Sequence, residues 1–261
     1  MFTIFGASGF IGGYLARHLA RQGYKVNTPT RDSLPNKKNL GHVIYCIGMT
    51  GNFREDFSGA VDSHVMTLQR LMDNNEYCSW LYLSSTRVYG GGGAESVANE
   101  TSEIFVRPGG DAIYDISKLL GESVCLAKKN SSVRVVRLSN VYGLGQSKFT
   151  FLGSIVEDLL TRGESIVHES PDSEKDYVSV HDVVELLPKI SLYGKERIYN
   201  VASGRNTSHE SLVRCVEGVF GGRVYFSPGA KKRAFPLIGI ERCLGEFDFF
   251  PRSVADGLDF Y

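Results

Sequence analysis

A phenol and an ammonium stand four positions apart in the motif Tyr114-x-x-x-Lys118. On a helix, such residues lie on the same face one turn apart, so the two groups would be neighbours. The ammonium would stabilise the phenolate and lower the tyrosine pKa toward neutrality. The tyrosine could then exchange a proton with a sugar or alcohol oxygen while a hydride moves at carbon. The pair by itself fits equally a half-buried tyrosine beside a surface lysine.

Three hydroxyl side chains, Ser84, Ser85 and Thr86, come directly after the apolar stretch 81–83. This stretch is typical of a buried strand, so the hydroxyls would lie at its carboxyl end. A hydroxyl there could hydrogen-bond the same oxygen that Tyr114 protonates. In the alternative, the hydroxyls cap backbone groups at the start of a loop.

A glycine-rich turn lies near the amino terminus, between an apolar strand and an amphipathic helical pattern. The free N–H groups and positive dipole end of such a helix can hold a diphosphate. Gly6 would allow the tight turn, Gly9 the approach of the phosphates, and Gly12 the close packing of the helix. The placement favours a dinucleotide site that is formed by Gly6, Ser8, Gly9, Phe10, Ile11 and Gly12.

Apolar stretches of strand length alternate with helical patterns, which indicates a parallel α/β sheet. Strands are predicted at 3–5, 25–28, 42–47, 80–84, 134–138, 165–168 and near 199–201. Helices are predicted at 11–22, 58–74, 114–129, 150–162, 181–190, 209–220 and near 253–260.

The segment 29–41, between the second and third predicted strands, contains two prolines and no apolar run. A complete doubly wound half needs a helix, a strand and another helix here. We therefore expect one βα unit to be missing or reduced to a loop, with loss of the usual edge strand and a more open adenine pocket. The predicted fold class is a Rossmann-like doubly wound parallel sheet with this unit reduced and a small carboxyl-terminal lobe.

A long polar segment, 90–111, separates the hydroxyl cluster from the helix predicted to carry Tyr114. It begins with Gly90-Gly91-Gly92-Gly93, which predicts a flexible loop. A loop at the carboxyl edge of a parallel sheet borders the ligand crevice, so we expect this segment to form a substrate lid.

Composition limits the possible partners of the 261-residue chain. Its 29 basic and 29 acidic side chains balance, so bulk charge favours neither nucleic acid nor a membrane surface. No basic leader with an apolar stretch opens the chain, and no run of about eighteen apolar residues occurs, so we expect neither a signal peptide nor a membrane span. The five scattered cysteines predict reduced thiols in a cytoplasmic protein without a structural zinc site.

The histidines show no metal-ligand spacing, so no metal site is predicted. Surface or helix-capping positions are expected for His64, His168, His181 and His209.

Seven motifs follow one another along nearly the whole chain. They are Gly6-x-x-Gly9-x-x-Gly12, the segment 84–90, Tyr114-x-x-x-Lys118, and the segments 137–143, 176–183, 199–204 and 244–258. In content and order they resemble the extended short-chain dehydrogenases/reductases of the nucleotide-sugar epimerase/dehydratase family.

The resemblance implies a catalytic set of Ser85, Tyr114 and Lys118, with Lys118 also binding the nicotinamide ribose hydroxyls. It adds Gly48 and Ser84 to the cofactor site, since a small residue after the strand 42–47 leaves room for nicotinamide. The substrate residues that the resemblance implies are Thr86, Arg87, Asn140 and Arg233.

Two of these substrate residues would act at the diphosphate. Asn140 would hold the substrate nearby, and Arg233 could clamp it, because a guanidinium fork suits phosphate oxygens. An exposed surface position for Arg233 is an equal alternative.

One departure from the family narrows the reaction. The 4,6-dehydratases of the family carry an Asp-Glu pair directly after the catalytic residue, where this chain has Thr86 and Arg87. Without this acid/base pair, elimination of water is not expected.

The residues after the second predicted strand concern cofactor choice. Arg31 comes first and could pair with a 2′-phosphate, which favours NADP. In the alternative, Asp32 binds a ribose hydroxyl of NAD and Arg31 points to solvent.

The resulting hypothesis is an NAD(P)-dependent oxidoreductase that reduces a nucleotide-linked 4-keto sugar, with tyrosine as proton donor. The alternatives are a nucleotide-sugar 4-epimerase with tightly bound NAD and a non-catalytic dinucleotide sensor. We expect a dinucleotide-binding domain at 1–149 and a substrate lobe at 150–261, of which 176–203 packs on the sheet. The family resemblance implies that the helices 58–74 and 114–129 could form a homodimer, and ordinary packing of both helices on the sheet is an equal alternative.

Overall fold

Strands and helices alternate along the chain in a computed structural model that describes residues 1–49, 51, 53–91 and 97–258. The strands are β1 Phe2–Phe5, β2 Val26–Asn27, β3 His42–Tyr45, β4 Ser79–Ser85, β5 Val97–Ala98, β6 Val133–Leu138, β7 Asn140–Tyr142, β8 Glu164–Glu169, β9 Glu174–Ser179, β10 Ile198–Val201, β11 Asn206–Ser208, β12 Arg223–Lys231 and β13 Leu237–Ile238. The α-helices are α1 Phe10–Arg21, α2 Phe57–Val61, α3 Thr67–Asp73, α4 Ala112–Leu126, α5 Phe151–Arg162, α6 Val180–Tyr193, α7 His209–Phe220, α8 Glu241–Phe247 and α9 Val254–Leu258.

Six of these strands form one parallel sheet in the order β2-β1-β3-β4-β6-β10. Because all six run the same way, their carboxyl ends share one edge, where Ser85 of β4 lies opposite Leu138 of β6. The predicted parallel α/β sheet is confirmed.

Helices cover both faces of this sheet. Alternate side chains of β1 point to opposite faces, so Ile4 packs with Leu15 of α1 and with α6, whereas Phe5 packs with Leu68 of α3 and Cys125 of α4. Both faces are therefore buried, which explains why most residues of the inner strands are apolar.

The segment 29–41 is reduced, as its length predicts. It contains a 3₁₀ turn at Arg31–Ser33 and an isolated bridge from Asn39 to Glu76, and no helix or strand in this fully described stretch. The two-residue strand β2 is consequently an edge of the sheet.

A second, smaller core lies in the carboxyl-terminal part of the chain. Strands β8 and β12 pair in parallel, and α5, α7 and α9 pack around residues such as Leu152, Leu212 and Leu258. Between these elements the chain returns to the large sheet through α6 and β10. In the described part of the chain no helix is both long and apolar enough to cross a membrane.

Several elements differ from the sequence-based expectation. The predicted helix 58–74 is interrupted by a π-helical turn at Asp62–Met66, between α2 and α3. The short strands β5, β7, β11 and β13 and the longer β9 and β12 were not expected, because their stretches are polar or too short to show a pattern. Part of the expected glycine loop (Gly92 and Gly93) and the end of the expected last helix (259–260) lie outside the described residues.

Candidate active site

A cavity of about 790 Å³ runs along the carboxyl edge of the large sheet, between the glycine-rich turn and the smaller core. Parallel α/β sheets bind ligands at this edge. Thirteen predicted site residues line it, namely Gly9, Phe10, Ile11, Gly12, Gly48, Ser84, Ser85, Thr86, Arg87, Tyr114, Lys118, Asn140 and Arg233.

The amino end of α1 opens into this cavity. Its N-cap is Gly9, which has no side chain to occupy the free N–H groups of the first turn. Gly6 and Ser8 lie outside the cavity lining. Gly6 has φ of +82°, and a Cβ there would come within 2.9 Å of the Cys46 backbone, so this glycine shapes the turn. A Cβ on Gly12 would collide with the Gly6 carbonyl oxygen.

Tyr114 lies in the first turn of α4, and its phenol lies beside the Ser85 side chain. The tyrosine is 7% exposed. Burial raises the pKa of its phenol, while the neighbouring Ser85 hydroxyl and the charge of Arg87 act in the opposite direction. The expected lowering by lysine is therefore wrong for this structure, and Tyr114 is protonated at neutral pH.

Lys118 reaches the same place from the next turn of α4. Its Nζ donates to the Leu83 carbonyl oxygen at 2.9 Å and lies 5.9 Å from the centre of the Tyr114 ring. Burial lowers the pKa of this ammonium to about 7, although Glu122 and Cys46 favour its charged form. Lysine and tyrosine are thus neighbours, but the lysine is only partly charged near neutrality.

The two serines at the end of β4 have different partners. Ser84 donates to Glu122 Oε1 at 2.5 Å, and Glu122 in turn binds Arg137. Ser85 faces Tyr114. This difference agrees with the catalytic position that the family resemblance implies for Ser85.

Arg87 follows these serines and lies over the Tyr114 ring, with its guanidinium carbon 5.3 Å from the ring centre. Its Nε is 3.1 Å from Asp115 Oδ1, and Nη2 donates to the Asp111 carbonyl oxygen at 3.1 Å. The arginine is thereby held beside the Tyr114 phenol in the cavity lining.

The other predicted substrate residues lie farther along the cavity. Asn140 donates from Nδ2 to the Asp176 carbonyl oxygen at 2.7 Å. Arg233 has a side chain 62% exposed, 3.5 Å from Glu169. The predicted lid segment also contributes lining residues, among them Phe105 and Arg107.

Two residues near the site were not found from the sequence. Lys175 lines the cavity and donates to Glu169 at 2.9 Å, with its pKa lowered by burial. A cation directly before the motif at 176–183 is the signal that could have revealed it. His64 is fully buried beside Tyr114, at a ring separation of 5.5 Å.

The expected surface or capping positions are wrong for His64 and His209. Both are 0% exposed. His209 begins α7 and stacks on Phe151 at 4.1 Å, and burial lowers the pKa of its imidazole to about 4. The residue pattern did not reveal this burial because it depends on the packing of α7 against α5.

Arg31 is exposed in its 3₁₀ turn, as is Asp32, and neither lines the cavity. The cavity extends from the first turn of α1 to the smaller core, and the surface beyond β2 lies outside its lining. The more open adenine pocket expected from the reduced βα unit stays a prediction.

Solved structures similar to this chain share its fold over almost the full length of both proteins. MoeE5 in complex with UDP-glucose and NAD is 22% identical, with a TM-score of 0.79, covering 99% of this chain and 96% of that one. RMD from Pseudomonas aeruginosa complexed with NADPH is 21% identical, with a TM-score of 0.78 and coverages of 100% and 98%. A UDP-glucose 4-epimerase from Thermotoga maritima with UDP-glucose is 17% identical, with a TM-score of 0.81 and coverages of 99% and 96%.

A family model described as "NAD dependent epimerase/dehydratase family" matches two overlapping stretches, residues 2–58 and 42–202. The matched stretches contain the glycine-rich turn, the serine segment and the Tyr114–Lys118 pair. Because this match covers well over half of the sequence, the chain belongs to the NAD dependent epimerase/dehydratase family of enzymes.

Proposed function

We propose that the protein reduces a nucleotide-linked 4-keto sugar, using NADP(H). The observation that carries the proposal is that the Tyr114 phenol and the Ser85 hydroxyl lie side by side, in a cavity that also receives Lys118 and the amino end of α1. A nicotinamide cofactor, when bound, supplies the hydride for such a reduction.

The residues at one end of the cavity fit a dinucleotide. The first-turn amides of α1, from Phe10 to Gly12, provide a place for the diphosphate. Gly48 leaves the adjoining space open, since a Cβ there would lie 3.1 Å from Lys118 Nζ. Lys118 is placed to hold ribose hydroxyls, and Ser84 adds a further polar group to the lining.

Tyr114 is the proton donor in this proposal. Burial keeps the phenol protonated at neutral pH, which is the form that a reduction requires. Ser85 orients the phenol and would share the hydrogen bond to the substrate oxygen. Lys118, with a pKa of about 7, can assist by returning a proton to the phenolate after reduction.

The other end of the cavity suits the nucleotide part of the substrate. Lys175 and Arg233 supply positive charge where a diphosphate would lie, and Asn140 adds an amide. Thr86 and Arg87 lie at the sugar. On this basis we assign residues 1–149 to the cofactor and 150–261 to the substrate, with 176–203 packed on the sheet.

NADP is the proposed cofactor because Arg31 is exposed in the 3₁₀ turn that follows β2, where a guanidinium could pair with a 2′-phosphate. Asp32, equally exposed, would support NAD instead. RMD contains NADPH and MoeE5 contains NAD, so both types occur among similar folds.

A 4-epimerase that retains NAD is the second candidate. It would use the same Ser85 and Tyr114, and it needs a cavity roomy enough for a keto intermediate to rotate. The cavity volume of about 790 Å³ supports this candidate, because it leaves room for such a rotation.

Cofactor analysis of the purified protein separates the two reactions. Denaturing release and mass spectrometry identify any retained dinucleotide, and titration compares NADPH with NADH. Protein that is isolated empty, prefers NADPH and oxidises it with a nucleotide-linked 4-keto sugar supports the reductase. Retained NAD, together with interconversion of nucleotide sugars, would show that the protein is an epimerase and not a reductase.

We also propose a homodimer. Exposed apolar side chains continue from α2 and the π-helical turn to α4, at Phe57, Val61, Met66, Ile116 and Leu120. Such a patch is costly to leave in water and would be covered by the same patch of a second copy.

A further inference from the structure

A buried histidine joins two walls of the cavity. His64 lies in the π-helical turn Asp62–Met66, where the wider turn interrupts the regular spacing between α2 and α3. Its side chain is 0% exposed, although Asp62 and Met66 of the same turn are exposed. The residue is therefore directed into the protein, toward α4.

The hydrogen bonds of this imidazole have a defined direction. The Met49 backbone N–H can only donate, and it lies 3.1 Å from Nε2, so Nε2 is the unprotonated nitrogen. Nδ1 must then carry the proton, which it donates to Ser117 Oγ at 2.8 Å. The Ser117 hydroxyl in turn donates a hydrogen bond to the Tyr114 carbonyl oxygen at 3.0 Å.

The same ring fills the space between the groups it connects. It meets the Tyr114 ring edge-on, at 89° and 5.5 Å. On the other side, a Cβ on Gly48 would lie 3.3 Å from Nε2 and 3.1 Å from Lys118 Nζ. Histidine and lysine thus converge on one glycine of the cavity wall.

The imidazole stays neutral through the ordinary pH range. Burial and the neighbouring Lys118 lower its pKa to about 2. A group of this kind does not exchange protons in the reaction. Its contribution is the rigid placement of one acceptor and one donor on opposite sides of a ring.

We propose that His64 is a positioning residue that ties the Gly48–Met49 backbone to the turn of α4 carrying Tyr114 and Lys118. The inference rests on the proposed function, since it assigns these two residues to the reaction. A displacement of either wall would separate the tyrosine from the space beside Gly48, and displacements of about 1 Å can reduce turnover up to a hundredfold.

The first test is His64→Phe, which keeps a flat ring and removes both hydrogen bonds. We expect kcat for keto-sugar reduction to fall about tenfold or more, with KM changed less than about threefold. His64→Gln, which can still accept from Met49, should recover part of kcat. The matched control is His42→Phe, because His42 also binds a serine, Ser79, at 2.9 Å, but at the opposite edge of the sheet. Equal kcat values for wild type and folded His64→Phe would overturn the proposal.

A milder variant covers the case in which His64→Phe fails to fold. Ser117→Ala leaves the imidazole in place and removes its anchor on α4. It should lower kcat in the same way, and the double variant should be no slower than the slower single variant, because both remove one connection. Full additivity would show that the two residues act separately and would contradict the connection.

Two measurements are independent of turnover. Nitrogen NMR should show a neutral His64 with the proton on Nδ1, and the Met49 amide should exchange with solvent about tenfold faster in Ser117→Ala, as for a weakened hydrogen bond. A proton on Nε2, or unchanged exchange, would refute the connection. If wild-type protein reduces no nucleotide-linked keto sugar, the proposed function fails while these measurements still decide whether the connection exists.

Discussion

Arg137 and Glu122 form an ion pair inside the protein, with Nη2 2.7 Å from Oε2 and both side chains at most 5% exposed. Glu122 also accepts from Ser84, at the carboxyl end of β4, and Arg137 donates to the Tyr89 hydroxyl at 2.7 Å. The pair therefore fastens α4, which carries Tyr114, to two central strands directly beneath the cavity.

Removal of the acidic partner should destabilise the protein strongly. In Glu122→Gln, Arg137 remains buried without a counter-charge, and we expect the free energy of unfolding to fall by about 3 kcal/mol. Urea denaturation measures the change. The control is Asp73→Asn, which breaks the exposed pair of Asp73 with Lys128 and should cost less than about 1 kcal/mol. Similar losses in the two variants would contradict this account.

Replacing the proposed proton donor should abolish most turnover without unfolding the chain. Tyr114→Phe keeps the ring and removes the hydroxyl that Ser85 contacts, so kcat should fall about a hundredfold or more. The rate of NADPH oxidation gives kcat, and thermal unfolding of the same samples shows whether the variant is folded. Tyr77→Phe removes a phenol outside the cavity lining and should keep wild-type turnover. Unchanged turnover in Tyr114→Phe would contradict the assignment of Tyr114 as the proton donor.

Acid should destabilise the protein partly through His209. Its folded-state pKa of about 4 lies below the ordinary 6.5, so between these values the unfolded chain binds the proton and the folded chain does not. Stability is therefore lost as the pH falls from about 7 to 4. Between pH 7.5 and 5, the free energy of unfolding of His209→Phe, which keeps the stack on Phe151, should fall by about 2 kcal/mol less than that of wild type. Parallel pH dependences of unfolding in the two proteins would rule this contribution out.

Cofactor choice should depend on Arg31. We expect Arg31→Ala to weaken NADPH binding about tenfold and to leave NADH binding nearly unchanged, because the 2′-phosphate is the group that differs. Fluorescence titration of each reduced dinucleotide gives both values. Asp32→Asn is the matched variant at the next position. If it weakens NADH binding while Arg31→Ala has no effect, the cofactor is NAD.

The proposed dimer should dissociate when a charge enters its apolar patch. Leu120→Glu places a carboxylate on α4, at a residue that is 49% exposed and so tolerates the change in a monomer. Light scattering after size-exclusion chromatography should show a dimer for wild type and a monomer for this variant. Leu160→Glu, at a 65% exposed residue of α5, should remain dimeric. A wild-type protein that is monomeric at all concentrations would refute the patch as a dimer interface.

Local patterns were sufficient for much of the fold and for the lining of the cavity. The alternation of apolar strands with helices predicted the parallel sheet, and the prolines of segment 29–41 predicted its reduced unit. Strands β9 and β12 were not predicted because their stretches are mixed in polarity, and their pairing partners lie elsewhere in the chain. Short motifs in a defined order identify a family even where the hydrophobic pattern of a strand is too mixed to predict it.

The sequence by itself determined which groups are available at the site: the glycine-rich turn, the serines after β4, and Tyr114 with Lys118 on one helix face. Only the tertiary structure decided their electrostatic states and further neighbours. Burial raises the pKa of Tyr114 and lowers that of Lys118, and the π-helical turn brings His64 between them and Met49. These properties depend on desolvation and on contacts between residues far apart in the chain, which the order of residue types along a single segment does not contain.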